Sequence, residues 1–295
     1  MKLGYYPGCT LKTKAANLEK AAMGALDALG VEYHELDRWN CCGAVFSLAD
    51  DDLIHQVAPV RNLVRAAEAG CDTLVTICSQ CYNTLARANL MVREDEEKRD
   101  TLNRFMDEEP DYDGGIEVVH YLQLLRDQVG WDRLREAVKV PLEGLKVAPF
   151  YGCTLVRPDD VAIDALDETI LEDFIQALGA EVVPFEAARE CCGSYQMLAH
   201  PEEGMQRAAK VITAANRSNA DALVLSCPLC EYNLGTRQPG VIASSEGISA
   251  VPTYYFSQLL GIALGLDQEL WRLDLNGEAA RSLLAERKLI AAVSA

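Results

Sequence analysis

"TLVTICSQCYNTL" at residues 73–85 runs a short apolar stretch straight into a Cys-x-x-Cys pair. The five residues before Cys78 carry no polar alternation, which is the pattern of a strand buried on both faces. "ALVLSCPLCEYNL" at 222–234 repeats the arrangement, ending its strand at Cys227-Pro-Leu-Cys230. Working outward, each copy is preceded by an adjacent cysteine pair followed by glycine, "WNCCGA" at 39–44 and "RECCGS" at 189–194. Each pair is preceded by a lone cysteine, in "YYPGCTL" at 5–11 and "PFYGCTL" at 149–155. The lone cysteine and the pair are separated by 31 residues in the first half and 37 in the second, the pair and Cys-x-x-Cys by 35 and 34. Each half closes on a related segment, "HYLQLL" at 120–125 and "YFSQLL" at 255–260. The chain is a two-copy repeat, two pseudo-symmetric lobes of one fold. "KVPLEGLK" at 139–146 joins them, which predicts domains at 1–142 and 143–295.

Each lobe alternates short apolar strands with amphipathic helices. "KLGYYP" and "VEYHEL" read as strands, and 17–30 and 51–70 as helices, with Pro59 expected to kink or break the second. "KVAPFYG", "ETILEDFIQALG", "EVVPFE", "GMQRAAKVITAANRSN" and "ALVLS" follow in the same order in the second lobe. The fold class is therefore α/β, each lobe a small parallel sheet flanked by helices. All three cysteine motifs of a lobe fall at predicted strand carboxyl ends, the edge where open α/β sheets bind ligands. Gly8 and Gly152, before the lone cysteines, and Gly43 and Gly193, after the pairs, would admit a bulky group close to backbone.

Among 295 residues the net charge is −18, which argues against nucleic acid and anionic membrane surfaces as partners. The start has no secretory signal, and the most apolar run, 254–266, is too short to span a bilayer. A cytoplasmic location is expected. There, eleven cysteines point to metal or redox chemistry and not to a disulfide framework. Only Cys71 lies outside the repeat, and it reads as a buried small side chain.

Five thiols at one point leave three readings open. A zinc site, in one or both lobes, uses four and leaves one idle. A dithiol of the thioredoxin kind uses two. An iron–sulfur centre uses many, and a fifth cysteine, in an adjacent pair, suits an unusual cluster better than an ordinary cubane.

The doubled set resembles the cysteine-rich CCG domain, and two such domains without a ferredoxin domain resemble the HdrB family of heterodisulfide reductase subunits. The likeness covers nearly the whole chain. It implies a non-cubane [4Fe-4S] cluster held by Cys9, Cys41, Cys42, Cys78 and Cys81, and another held by Cys153, Cys191, Cys192, Cys227 and Cys230. It also implies reduction of a disulfide, CoM-S-S-CoB or an analogue, between the two clusters. The partners it implies are a small ferredoxin-like subunit and a flavin-bearing one, since no G-x-G-x-x-G or Walker run is present. A relay subunit of a glycolate-, lactate- or acyl-CoA-linked complex is the alternative, and a zinc-stabilised scaffold a third.

Lesser signals remain. His120 reads as a packed or capping histidine, and its repeat counterpart is Tyr255. Lys12, Arg38, Arg157 and Arg189 flank cysteine motifs and could neutralise a cluster or grip an anion. Asn83 and Asn233 read as helix-start residues. The charged segment 91–114 reads as a solvated helix and loop.

Overall fold

The computed structural model describes residues 2–44, 52–164, 169–245 and 247–291. The expected helix residues Asp51 and Glu168 lie outside them. Two four-stranded sheets are present, each parallel throughout. The first holds β1 (Leu3–Tyr5), β2 (His34–Glu35), β3 (Thr73–Thr76) and β4 (Glu117–His120), in the order β2-β1-β3-β4. The second holds β5 (Lys146–Pro149), β6 (Glu181–Val182), β7 (Ala222–Leu225) and β8 (Thr253–Tyr255), in the order β6-β5-β7-β8. Every residue of β3 and of β7 is buried, as their continuous apolar character requires. The order reverses between β1 and β3 and between β5 and β7. That crevice is where such sheets take ligands, and a lone cysteine and a Cys-x-x-Cys flank it in each lobe.

Helix α1 (Ala16–Ala28) follows β1, burying Leu18, Ala21, Ala22, Ala25 and Leu26 on one stripe. Helix α2 (Val57–Glu68) buries Val60, Leu63 and Val64 in the same way. The segment does change character just before Pro59: a 3-10 turn at Leu53–Gln56 gives way to α2, and Pro59 sits in the first turn of α2, where its missing N–H has no partner within the α-helix to lose. Helix α3 (Ser79–Glu94) starts at Cys78, and α4 (Glu96–Phe105) follows, capped by Asp95, whose carboxylate accepts from the Lys98 N–H at 3.0 Å. Segment 91–114 is more than a solvated loop. Leu102, Met106 and Tyr112 are buried, and Glu109 pairs with Arg61 of α2 at 2.9 Å.

The closing segments are explained by one device. In "HYLQLL", the Gln123 side-chain oxygen accepts from the His120 backbone N–H at 2.8 Å. In "YFSQLL", Gln258 does the same for Tyr255 at 3.0 Å. Each starts a helix, α5 (Tyr121–Leu124) and, later, the helix at Phe256–Ala263.

The lobes are not separate bodies joined by a string. The closing helix Phe256–Ala263 packs on α1 of the first lobe, with the Ser257 hydroxyl donating to the Leu18 carbonyl at 2.8 Å. Conversely, α5 packs on the helix at Ile170–Ala177 of the second lobe. Between them the Phe256 ring lies 5.9 Å from His120, 5.6 Å from Tyr121 and 5.8 Å from Phe174. One buried core runs through both lobes. Among the described residues, no helix is long and apolar enough to cross a membrane.

Candidate metal centre

The Cys-x-x-Cys motifs are built by strand endings. β3 delivers Cys78 to the start of α3, and β7 delivers Cys227 to the start of the helix at Pro228–Glu231. Backbone N–H groups of the first turn then point at these sulfurs: that of Cys81 at Cys78, those of Leu229 and Cys230 at Cys227.

All ten repeat cysteines come together in one string of sulfur contacts. In the first lobe, Cys9 meets Cys41 at 3.6 Å, Cys41 meets Cys42, Cys42 meets Cys81 at 3.6 Å, and Cys81 meets Cys78. In the second, Cys153 meets Cys191, Cys191 meets Cys192, Cys192 meets Cys230 at 3.3 Å, and Cys230 meets Cys227. Cys78 and Cys227 touch each other and join the two strings across the lobe interface. The backbone crosses there too, the Ser79 N–H donating to the Ser226 carbonyl at 3.3 Å. Only the outer ends of the string are open: Cys9 and Cys41 are exposed, Cys153 and Cys191 half-buried, and the other six buried. Among the described residues, no three His, Cys, Asp or Glu side chains are grouped as ligands of a single ion. Cys71 stands apart as expected, buried where the missing Cβ of Gly4 would approach its sulfur to 2.8 Å.

Sulfurs this close cannot all ionise, so each proton is shared. Hydrogen bonds from Cys41 and Cys81 hold Cys42 low, and those from Cys230 and Cys78 hold Cys227 low. Hydrogen bonds from Cys153 and Cys192, helped by the Gly193 N–H at 3.4 Å and by Arg207, bring Cys191 down to about 2. Their neighbours Cys41, Cys81, Cys78, Cys153 and Cys192 are pushed up, chiefly by the hydrogen bonds they give to those sulfurs, and Cys230 by those it gives to Cys192 and Cys227. Cys42, Cys191 and Cys227 are thus the sulfurs most favoured as thiolates, the form that binds a soft metal.

The surroundings fit a sulfur-ligated group. Gly8 adopts φ +76°, and a Cβ there would reach 3.0 Å from the Cys81 sulfur. Gly152 adopts φ +68°, and a Cβ there would reach 3.5 Å from that of Cys230. Glycine keeps both approaches open, as its conformational freedom allows. Gly43 and Gly193 share a positive φ after the pairs. A Cβ on Gly193 would press 2.8 Å from the Gly204 carbonyl, so this turn is fixed by helix packing. Several buried polar atoms at the site have no partner: the hydroxyls of Ser79 and Ser226, the amide nitrogen of Gln80, and the amide oxygens of Asn83 and Asn233. Groups left this way ask for something to bond.

The asparagines are not helix starts. Asn83 crosses to the other lobe, donating to the carbonyls of Thr154 and Arg157 at 2.9 and 2.7 Å. Asn233 donates to the Cys192 carbonyl at 2.9 Å within its own lobe. Counting from Cys78 and Cys227, the repeat counterpart of Asn233 is Thr84, which reaches Cys42. That register was present in the sequence. Lys12 is paired with Glu19 at 2.6 Å and Glu35 at 2.8 Å, and Arg38 with Glu68 at 2.9 Å. Arg157 and Arg189 line one cavity of about 330 Å³, with Tyr151, Asp159 and Asp164. Arg207, Ser79, Gln80 and Ser226 carried no signal in the motif pattern.

His120 is fully buried, with Nδ1 accepting from the Leu122 N–H at 3.3 Å and Nε2 against the Ile77 carbonyl at 2.9 Å. The proton is thus assigned to Nε2, and the ring holds the backbone one residue before Cys78. Burial brings its pKa down to about 3. The unfolded chain therefore binds the proton first, so this histidine's contribution to stability is whole above pH 6.5 and falls as pH drops toward 3. At pH 5 the loss is about 2 kcal/mol. Denaturant titrations of wild type and His120→Gln at pH 7 and pH 5 should show that differential, and equal pH slopes would refute it.

The fold and this string of cysteines define a protein of two cysteine-rich domains. The cysteine-rich CCG domain matches residues 3–86 and again 147–235. A curated relative from Wolinella succinogenes, "8-methylmenaquinol:fumarate reductase membrane anchor subunit", is 34% identical, over 90% of this chain and 93% of that protein. The B subunit of the "Ferredoxin/F(420)H(2)-dependent CoB-CoM heterodisulfide reductase" of Methanosarcina acetivorans is 30% identical over 91% of each chain. A hypothetical protein from Helicobacter pylori has a similar fold, with a TM-score of 0.75 at 14% identity. The match covers 92% of this chain and 51% of that one. The chain belongs to the CCG-domain family, in the two-domain HdrB form found in heterodisulfide reductases, which are oxidoreductase complexes.

Proposed function

We propose that this chain is the iron–sulfur subunit of a heterodisulfide reductase-type complex and that a disulfide is reduced, or formed, between its lobes. The observation that carries the reading is the string of ten thiols whose two halves meet at Cys78 and Cys227. Cys9, Cys41, Cys42, Cys78 and Cys81 would hold one non-cubane [4Fe-4S] cluster, and Cys153, Cys191, Cys192, Cys227 and Cys230 the other. Gly8, Gly43, Gly152 and Gly193 would let backbone close around them. We place the domain boundary at 142–143.

The overall reaction takes one disulfide, two electrons and two protons to two thiols. When bound, clusters held by these two sets of cysteines would supply one-electron transfer, two of which reduce one disulfide. The chain's own part would be to hold the two sites against each other, a role that the packing of each closing helix on the other lobe and the Asn83 bridge support. Arg157 and Arg189 would seat an anionic group of the substrate at the cavity they share. Electrons would come from the ferredoxin-like and flavin-bearing partners of such a complex, in the cytoplasm.

The second reading is an electron relay in another oxidoreductase complex, favoured by the name of the Wolinella succinogenes relative. The test has two stages, on protein purified without oxygen. About eight irons with matching sulfide per chain support two tetranuclear clusters. About one zinc per lobe, with little sulfide, sinks the proposal. With iron present, turnover of a heterodisulfide with a reduced viologen donor supports catalysis here, and its absence assigns the chain to relay.

A further inference from the structure

The two lobes repeat their cysteines but not the residues around the Cys-x-x-Cys motifs. In the first lobe, Thr76, Ser79 and Gln80 stand beside Cys78 and Cys81 in the chain; their counterparts in the second are Leu225, Pro228 and Leu229. Thr76 and Ser79 are fully buried and Gln80 is 6% exposed, yet the two hydroxyls and the Gln80 amide nitrogen have no hydrogen-bond partner. In the second lobe only Ser226 breaks the apolar run; its hydroxyl too is buried and unpartnered, and its backbone carbonyl accepts from the Ser79 N–H. Three unmet donors therefore belong to the first lobe's side of the Cys78–Cys227 junction, against one from the second. Leaving buried donors unmet is costly, and beside Ser79 and Gln80 in the chain stand the sulfurs of Cys78 and Cys81, strong acceptors when they carry negative charge.

We infer that Ser79 and Gln80 donate hydrogen bonds to the sulfurs of the first-lobe centre and make it the higher-potential of the two. This rests on the cluster reading above. A reduced centre carries one more negative charge than an oxidised one. Donors aimed at its sulfurs favour the reduced form, while proline and leucine at the equivalent positions give no such help. An electron shared by the pair then rests on the first lobe. The halves of a symmetric bond meet unequal centres, and electrons entering the second lobe run downhill toward the junction. Ser79 and Gln80 are positioning residues, acting through the ligand sulfurs.

The test is an anaerobic spectroelectrochemical titration, following each centre by its paramagnetic signal, on samples first analysed for iron and sulfide. Two potentials are expected in the wild type. Ser79→Ala with Gln80→Leu should lower the higher one by about tenfold in the one-electron constant, or about 59 mV, per hydrogen bond lost. The lower one should stay in place. Leu229→Gln should raise the lower one and narrow the gap. Folding stability of the metal-free Ser79→Ala protein should not fall, because that hydroxyl has no protein partner to lose. An unmoved higher potential, movement of the lower one instead, or a single shared potential overturns the inference while the clusters stand. A sample without iron overturns the cluster reading itself.

Discussion

Cys42→Ala should leave about four of about eight irons per chain and abolish disulfide turnover. Cys42 sits in the middle of the first-lobe string, touching Cys41 and Cys81, is 2% exposed, and is the sulfur of that lobe held lowest by its neighbours. Removing it takes a soft ligand from the middle of the set, between Cys41 and Cys81. Its contacts lie within its own lobe, so the second-lobe set should keep its metal. Cys78→Ala differs, because Cys78 touches Cys227, and should perturb the spectrum of both centres. Iron and sulfide analysis with electron paramagnetic resonance distinguishes these results. Equal loss from both lobes in Cys42→Ala would mean the ten thiols hold one shared group and not two.

Phe256→Ala should cost about 3–5 kcal/mol, the range for truncating a fully buried aromatic. The ring is fully buried, against His120 and Tyr121 of the first lobe and Phe174 of the second. Nothing adjacent can collapse into the space without moving a helix that the other lobe needs. Because the core is shared, both lobes should lose stability together in one transition. Urea unfolding followed by fluorescence and by circular dichroism measures it. A mutant with two separated transitions would show that the lobes fold independently.

Much of the architecture is legible in the chain. The strands β3 and β7 announce themselves as apolar runs ending on cysteine, and the order of elements in one lobe predicts that in the other. The ten cysteines are found by spacing alone. Three details are not legible, for a common reason. Pro59 reads as a kink or break within one long helix, and the pattern does not say that the α-helix itself begins only at Val57. Asn83 and Asn233 read as caps because their partners, Thr154 and Cys192, lie far along the chain. Segment 91–114 reads as solvated because its charges hide Leu102, Met106 and Tyr112, which find their contacts only once α2 and α3 are packed.

By itself, the sequence determined the repeat, the parallel α/β lobes and the placing of the ten repeat cysteines in the segments that follow strand carboxyl ends. Those follow from periodicity and chain punctuation, which act over a few residues. Only the tertiary structure decided that each closing helix packs on the other lobe, that Cys78 meets Cys227, and that the donors of Ser79, Gln80 and Ser226 gather unmet at that junction. These are meetings of residues far apart along the chain or across a shared core. Burial and close packing choose them, and no local pattern records which surfaces will be pressed together.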